Sequence, residues 1–372
     1  MGEAERPYSA DDGVLALSEA PPSPARRAAQ GVDALRHGWP IRIGRAPPLL
    51  AAETASGDVR ADRMLISHAR GVTLKLANQS AAAVPEAPVA MRAAEPLLLA
   101  QALAIADPSA DLANPLKGPF KALSIDWAEE AQAALELARI AGILPAFLIE
   151  PEPEGEAVSL SASDLAAWHN LDTLRIAARA HLPIAATDNA EIIAFRSAHD
   201  LREHVALVIG ERNANRPPLV RVHSECLTGD ILGSLKCDCG PQLDAALHAM
   251  ASEAGAQNGW GILLYLRQEG RGIGLINKMR AYRLQDQGFD TVDANNRLGL
   301  PDESRDFPVA ARMLDLLGVS SVRLLTNNLA KVVALEECGI RVIERIAHQL
   351  PANPHNERYL ATKRDRAGHL LT

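Results

Sequence analysis

The sequence predicts a two-domain α/β (α+β) chain, a mixed sheet with flanking helices preceded by a second α/β domain, and three observations lead there. Its 372 residues exceed the roughly 100–200 of an ordinary domain. Apolar residues make up 48% and charged residues 23%, the balance of a globular chain rather than a disordered or fibrous one. From His204 onward, short apolar runs rich in β-branched residues alternate with helical patterns that end at glycine.

In the first part, Ala28 to Ile43 reads as a helix and a strand. Ala81 to Pro96 carries prolines that argue against long regular elements. Asp126 with Glu129 three residues on forms a capping box; Ala131, Leu135, Ala138 and Ile140 follow at helical spacing, and Gly142 stops the helix. Ile143 to Ile149 is a buried strand, Glu150 to Gly155 an acidic proline-broken loop, and Ser163 to Arg179 helical with a break near Asn170. The domain boundary is expected at Trp168, dividing the chain into residues 1–168 and 169–372. In the second part, strands are expected at Val205–Ile209, Leu219–His223 and Gly261–Leu266, and a helix from Gly274 to Gln287. Val322–Thr326, a helix opened by Asn327-Asn328 and closed by Gly339, and Ile340–Ile346 form a β-α-β unit.

Charge and composition exclude several function classes. Thirty-eight Lys plus Arg against forty-six Asp plus Glu leave a net charge of −8, which opposes wholesale binding to nucleic acid or anionic membrane. Aromatics at 3% are too few for rows of base-stacking rings. No apolar run approaches the ~18 residues of a membrane span. Met1 to Asp12 lacks the apolar core of a secretory signal, and four cysteines in so long a chain fit a reducing compartment, so the cytoplasm is expected.

Three of the four cysteines, Cys226, Cys237 and Cys239, form a C-x10-C-x-C cluster. Three thiolates without a fourth suit a catalytic zinc, which keeps an open tetrahedral position for water. The alternative is buried small hydrophobes, but Cys237 and Cys239 flank Asp238 and precede Gly240 in a polar segment. Cys338, near the end of an apolar helix, is expected in the core. Alternation along Leu219–His223 places Arg221 and His223 on one strand face beside Cys226. Arg267 to Gly274 is a glycine-rich turn holding two arginines and Glu269, suited to phosphate and to a purine's amino edge, or simply a flexible connection. Lys278 and Tyr282 share a helix face, which by default is solvated. Thr326-Asn327-Asn328 with Lys331 suits an anion at a helix start, or N-capping alone.

Arg221 to Asp230, Lys236 to Gly240, Arg267 to Arg271, Lys278 to Tyr282 and Leu324 to Asn328, in this order, together resemble GTP cyclohydrolase II over the region from near Pro183 to the end. That family opens the imidazole ring of GTP at carbon 8, yielding 2,5-diamino-6-(5-phosphoribosylamino)pyrimidin-4(3H)-one, formate and diphosphate, and begins riboflavin synthesis. The resemblance implies one zinc per subunit on Cys226, Cys237 and Cys239, whose water attacks carbon 8, and magnesium on the triphosphate. It implies a GTP site at Arg221, Val222, His223, Ser224, Glu225, Gln242, Glu269, Gly270, Arg271, Thr291, Thr326 and Lys331. Tyr282 matches the family's active-site tyrosine, and Arg305 the arginine that acts on the α-phosphorus as diphosphate leaves. Glu303 stands where the family has Asp, one methylene longer, with Asp302 beside it; a compensated active enzyme is expected. A homodimer is implied as well.

The first half resembles 3,4-dihydroxy-2-butanone 4-phosphate synthase through Ala28 to Ile43 and Glu129 to Ile149. The acidic metal motif due after the opening strand is replaced by Gly44-Arg45-Ala46-Pro47-Pro48-Leu49-Leu50-Ala51-Ala52-Glu53, so a degenerate domain without synthase activity is expected. Two other functions compete: a zinc nucleobase deaminase, suggested by His223-x-Glu225 before cysteines though Pro-Cys-x-x-Cys is absent, and a catalytically impaired homologue that senses GTP.

Overall fold

A computed structural model describes residues 23–213, 215–257, 259–301, 305–366 and 368–371. Its first half is a seven-stranded sheet: β1 (Ile41–Ile43), β2 (Leu49–Ala51), β3 (Arg60–Ile66), β4 (Val89–Leu98), β5 (Phe120–Leu123), β6 (Ala146–Ile149) and β7 (Val158–Leu160), in the order β5-β4-β3-β6-β2-β1-β7. All pairs are antiparallel except β1 with β7. The all-apolar run Ala146-Phe147-Leu148-Ile149 is explained by burial on both faces. Alternation sends Leu65 and Phe147 to one side and Met64, Ile66 and Leu148 to the other. On the first side lie α1 (Pro24–His37) and α4 (Ala128–Ala141), through Val32, Leu35, Ala131 and Leu135. On the second side lie residues of α3 (Leu99–Ala106) and, from the second half, Ala281 and Leu284 of α7 (Leu275–Asp286) and Ala294 and Leu298 of α8 (Thr291–Leu298). The remaining short helices are α2 (His68–Thr73) and α5 (Asp164–Trp168).

The second sheet has the order β14-β13-β11-β12-β10-β9-β8, from β8 (Arg175–His181), β9 (Ala190–Arg196), β10 (His204–Ile209), β11 (Leu219–Ser224), β12 (Gly261–Leu266), β13 (Ser321–Leu325) and β14 (Arg341–Ile346). Strands β8, β9, β10 and β12 are antiparallel neighbours, whereas β12, β11, β13 and β14 run parallel. The helix α6 (Cys239–Gln257) covers one face and α9 (Pro308–Leu316) the other, with α10 (Leu329–Glu337) in the β13–β14 crossover and α11 (Glu357–Arg366) near the end. Among the described residues, no helix is long and apolar enough to cross a membrane.

Four expectations fail. Ala81 to Pro96 was expected to lack long elements, yet it leads into the ten-residue β4. Pro96 is accommodated because Ala93 to Pro96 fall at a register irregularity against β3, where no ladder N–H is required of it. Helix from Ser163 to Arg179 stops at Trp168; the Asn170 side chain accepts from the Asp172 amide to start a new turn, and β8 begins at Arg175. Strand β8 is a largely exposed sheet edge, so it has no apolar alternation to betray it. Asp126 does not cap α4, whose N-cap position is Trp127 without a side-chain hydrogen bond. Cys338 is exposed rather than buried in the core.

Candidate active site

The parallel strands β11, β12 and β13 end on one side of the second sheet, and the loops that leave them form a cleft. Cys226 follows β11 directly and opens a single helical turn, Leu227–Ile231; its sulfur accepts from the Gly229 amide at 3.3 Å. Cys237 lies just before α6 and Cys239 is its first residue, so both thiols stand at the N-terminal end of that helix. The three sulfurs lie within 4.8 Å of one another, with Cys226 and Cys237 3.7 Å apart. Zinc–sulfur bonds of ~2.3 Å at tetrahedral angles put sulfurs roughly 3.8 Å apart, so the trio fits zinc. Gly229 completes the cradle, because a Cβ on it would meet Cys237 Sγ at 2.9 Å and Cys226 Sγ at 3.1 Å. Hydrogen bonds from Cys237 and Cys239 hold the Cys226 thiol well below the usual range, against burial, and the Lys278 ammonium 3.1 Å from its sulfur acts in the same direction. Cys237 is pushed up chiefly by the Cys226 sulfur, and Cys239 by both neighbouring sulfurs and by burial.

Around the sulfurs the polar groups interlock. Asp230, part of the sequence motif but without an assigned role there, accepts from the Cys226 amide (3.0 Å) and the Tyr265 hydroxyl (2.9 Å), and pairs with His223 Nε2 (3.1 Å). Burial lowers the His223 pKa, opposed by that Asp230 contact. Arg221 donates to the Leu325 carbonyl and to Gln242 Oε1, and burial lowers its pKa to about 10, so it stays charged at neutral pH. Gln242 in turn donates to Asp238, whose other oxygen takes a 2.7 Å bond from Lys363 of α11. Two buried atoms in this wall, Arg221 Nε and Ser224 Oγ, have no hydrogen-bond partner among the described residues.

The glycine-rich turn after β12 passes through the left-handed region at Gly270 (φ 63°), Arg271 (φ 61°), Gly272 and Gly274. Arg271 pays a steric penalty there as a non-glycine residue, which marks the turn as specified rather than slack. Both Glu269 oxygens are engaged within the protein, one by the Leu227 amide and the other by Lys278 and the Gly270 amide, so this carboxylate anchors the turn. Burial would lower the Lys278 pKa, but the Glu269 hydrogen bond and the Cys226 charge outweigh it and raise it. Tyr282, one turn on, is pushed up to about 12 by burial, and its hydroxyl lies 3.4 Å from Thr228 Oγ1.

Of the residues expected from the sequence, Arg221, His223, Ser224, Glu225, Cys226, Cys237, Cys239, Gln242, Glu269, Gly270, Arg271, Tyr282, Thr291, Arg305, Thr326 and Lys331 all line this one cleft. Val222 does not; its side chain is in the core beneath the sheet, and its carbonyl accepts from Lys331 Nζ at 2.7 Å. Glu303, with Asp302, lies outside the described residues. The cleft also contains Gln285, Asn295, Tyr359, Lys363 and His369, which sequence reasoning missed. The segment Glu357–Arg366 reads as a solvated charged helix, and nothing in its pattern reveals that Lys363 is buried against Asp238. Among the described residues, seven cationic side chains face three carboxylates around the cleft, in a chain whose net charge is negative.

Residues 175–347 match the family described as GTP cyclohydrolase II. A GTP cyclohydrolase-2 of Azospirillum brasilense is 38% identical over 386 residues, covering 97% of each chain. The chain belongs to the GTP cyclohydrolase II family. It is thereby an enzyme of a hydrolase family, and the cleft is built from the segments by which it resembles that family. Two proteins named riboflavin biosynthesis protein RibBA are also similar: that of Salinispora tropica (46% identity over 260 residues, 64% of each chain) and one from Bacillus cereus (44% over 262 residues, 66% of this chain and 65% of that one). The chain thus spans a little under two thirds of the length of these RibBA proteins. A solved two-domain 3,4-dihydroxy-2-butanone 4-phosphate synthase from A. baumannii matches 87% of this chain at 18% identity and a TM-score of 0.29, too distant to specify fold or function.

Proposed function

We propose that the protein opens the imidazole ring of GTP, releasing formate and diphosphate and leaving 2,5-diamino-6-(5-phosphoribosylamino)pyrimidin-4(3H)-one, the first step of riboflavin biosynthesis. The observation that carries this reading is the convergence of a cluster of three cysteine sulfurs with a cation-lined cleft whose wall holds two buried polar atoms without a partner among the described residues, in a chain of this family. Cys226, Cys237 and Cys239 would hold zinc, which when bound supplies a water acidified to about pKa 7 and an electrophile for carbon–nitrogen cleavage.

The chain's own residues define the rest. Tyr282, with its pKa near 12, keeps its proton at every physiological pH and serves as a donor beside the sulfurs. Lys278 stabilises the Cys226 thiolate, and Asp230 holds both the Cys226 amide and the His223 ring in place. Arg221 Nε and Ser224 Oγ offer the nucleotide hydrogen-bonding atoms already stripped of water. Arg271, Arg305 and Lys331 supply charge to the triphosphate, and Arg305 with Glu303 takes the role of releasing diphosphate. Magnesium would accompany the triphosphate, whose oxygens are the hard ligands that suit it. The unit that does this is a homodimer.

In the first half, which we propose has no synthase chemistry, Glu53 is bound to Arg280. The test is the purified full chain with GTP, Zn²⁺ and Mg²⁺, assayed for formate, diphosphate and the pyrimidine. Cys237→Ser should abolish ring opening and Arg305→Ala should slow diphosphate release. Ammonia in place of formate, or GTP bound and unchanged, would overturn the reading. Ribulose 5-phosphate should give no butanone phosphate.

A further inference from the structure

The first half retains a full sheet and helices although the acidic segment is gone. Its second face is closed by the other half: Met64, Ile66, Met91 and Leu148 share one buried cluster with Ala281, Leu284, Ala294 and Leu298 of α7 and α8. Polar contacts fix the register of that docking. Arg280 Nη1 reaches both oxygens of Glu53 (3.1 and 3.0 Å), its Nε reaches Asp107 Oδ2 (3.2 Å), and Nη1 also donates to Asn277 Oδ1 at 2.8 Å. Asn277 Nδ2 donates to the Gly142 carbonyl at 3.3 Å, and Gln287 Nε2 to the Ser109 carbonyl at 3.2 Å. Glu53 is itself anchored by the Leu144 amide at 2.7 Å. The Arg280, Glu53 and Asp107 side chains keep only 15%, 10% and 18% of their exposure, so these ion pairs are shielded from solvent screening.

Residues two apart on a helix point to opposite sides. Arg280 faces the first half, while Lys278 and Tyr282 face the cleft, where they touch Cys226 and Thr228. Thr291 and Asn295 of α8 line the same cleft. Whatever sets the position of α7 therefore sets two groups at the thiolate centre.

We propose that the first half is the scaffold of the catalytic cleft, and that Arg280 is a positioning residue through which Glu53 and Asp107 fix α7. The proposal rests on the GTP reading for the reaction it affects. The geometric link from Glu53 to Lys278 and Tyr282 does not depend on it.

The test is the full chain carrying Glu53→Gln with Asp107→Asn, beside Arg280→Met and the conservative Arg280→Lys, with Asp107→Asn alone as the milder variant should the double one fail to fold. kcat and KM for GTP are normalised to bound zinc, and amide hydrogen exchange is followed across residues 275–286. Since misplacement by about 1 Å costs on the order of 10²-fold, kcat/KM should fall by that order in the double variant and in Arg280→Met. The loss should fall mainly on kcat, because Lys278 and Tyr282 sit by the sulfurs. Exchange across α7 should accelerate, and Arg280→Lys should recover part of both. Values of kcat/KM within twofold of the parent, or a loss without faster exchange in α7, would overturn the proposal. Wild-type protein that releases no formate would refute the GTP reading, and unchanged exchange in the variants would still refute this one.

Discussion

Gly229→Ala probes the proposed metal centre without replacing any of its three cysteines. Gly229 does not adopt the left-handed conformation, so its backbone accepts alanine and only the new methyl matters. That carbon would lie 2.9 Å from Cys237 Sγ, 3.0 Å from Cys239 Cβ and 3.1 Å from Cys226 Sγ. Comfortable contacts of this kind settle at about 3.5–4.0 Å, leaving a shortfall of roughly half an ångström or more against three neighbours at once. Metal sites hold their distances to about 0.2 Å, so sulfurs pushed apart by this much can no longer close on one ion. Zinc affinity should fall at least as far as for loss of an outer-shell partner, about 10–100-fold. Chelator competition monitored by zinc release measures it, with Gly255→Ala in α6 as the control, because a Cβ there meets nothing within 4 Å. Zinc retained by Gly229→Ala at the parent's affinity would mean that the three sulfurs do not enclose the ion together.

Two further outcomes follow from the same contacts. Lys363→Met leaves Asp238 buried beside Gln242 without its cation; a broken buried pair costs about 3–5 kcal/mol, so the Gln242–Arg221 wall should loosen and KM for GTP should rise, and an unchanged KM in steady-state assays would separate α11 from substrate binding. Burial lowers His204 and His348 from 6.5 to about 4, so the unfolded chain binds more protons than the folded one between those values and stability rises with pH across that window. Each contributes about 3 kcal/mol above pH 6.5 that is lost towards pH 4; urea titrations at several pH values should show a slope reduced by about one proton in His348→Asn, and no change in slope would reject the assignment.

The sequence makes the second sheet and most of its cleft legible for a physical reason. Strands such as Gly261–Leu266 are buried on both faces and announce themselves as apolar runs, and the cleft residues leave those strands in short contiguous motifs. Edge strand β8 carries no such pattern, because it is exposed on both faces. Lys363 and Tyr359 reach the cleft from more than a hundred residues away, by tertiary packing that local spacing does not encode. The helix α7 was legible as a helix but its second allegiance was not. It presents charged and apolar residues on every side, since one face meets the cleft and the other meets the first half.

That double burial ties the first sheet to the second through packing that needs no chemistry in the first half. The segment Gly44 to Glu53 serves packing, since its buried positions Ala46, Leu49, Leu50, Ala51 and Ala52 are apolar. Removal of the whole domain would expose Ala281, Leu284, Ala294 and Leu298 to water and leave the shielded Arg280 guanidinium without either carboxylate. Glu53, the one carboxylate in that segment, is the one that binds Arg280. Glu53 thus ties the first sheet to α7, and α7 carries Lys278 and Tyr282 into the cleft of the other half.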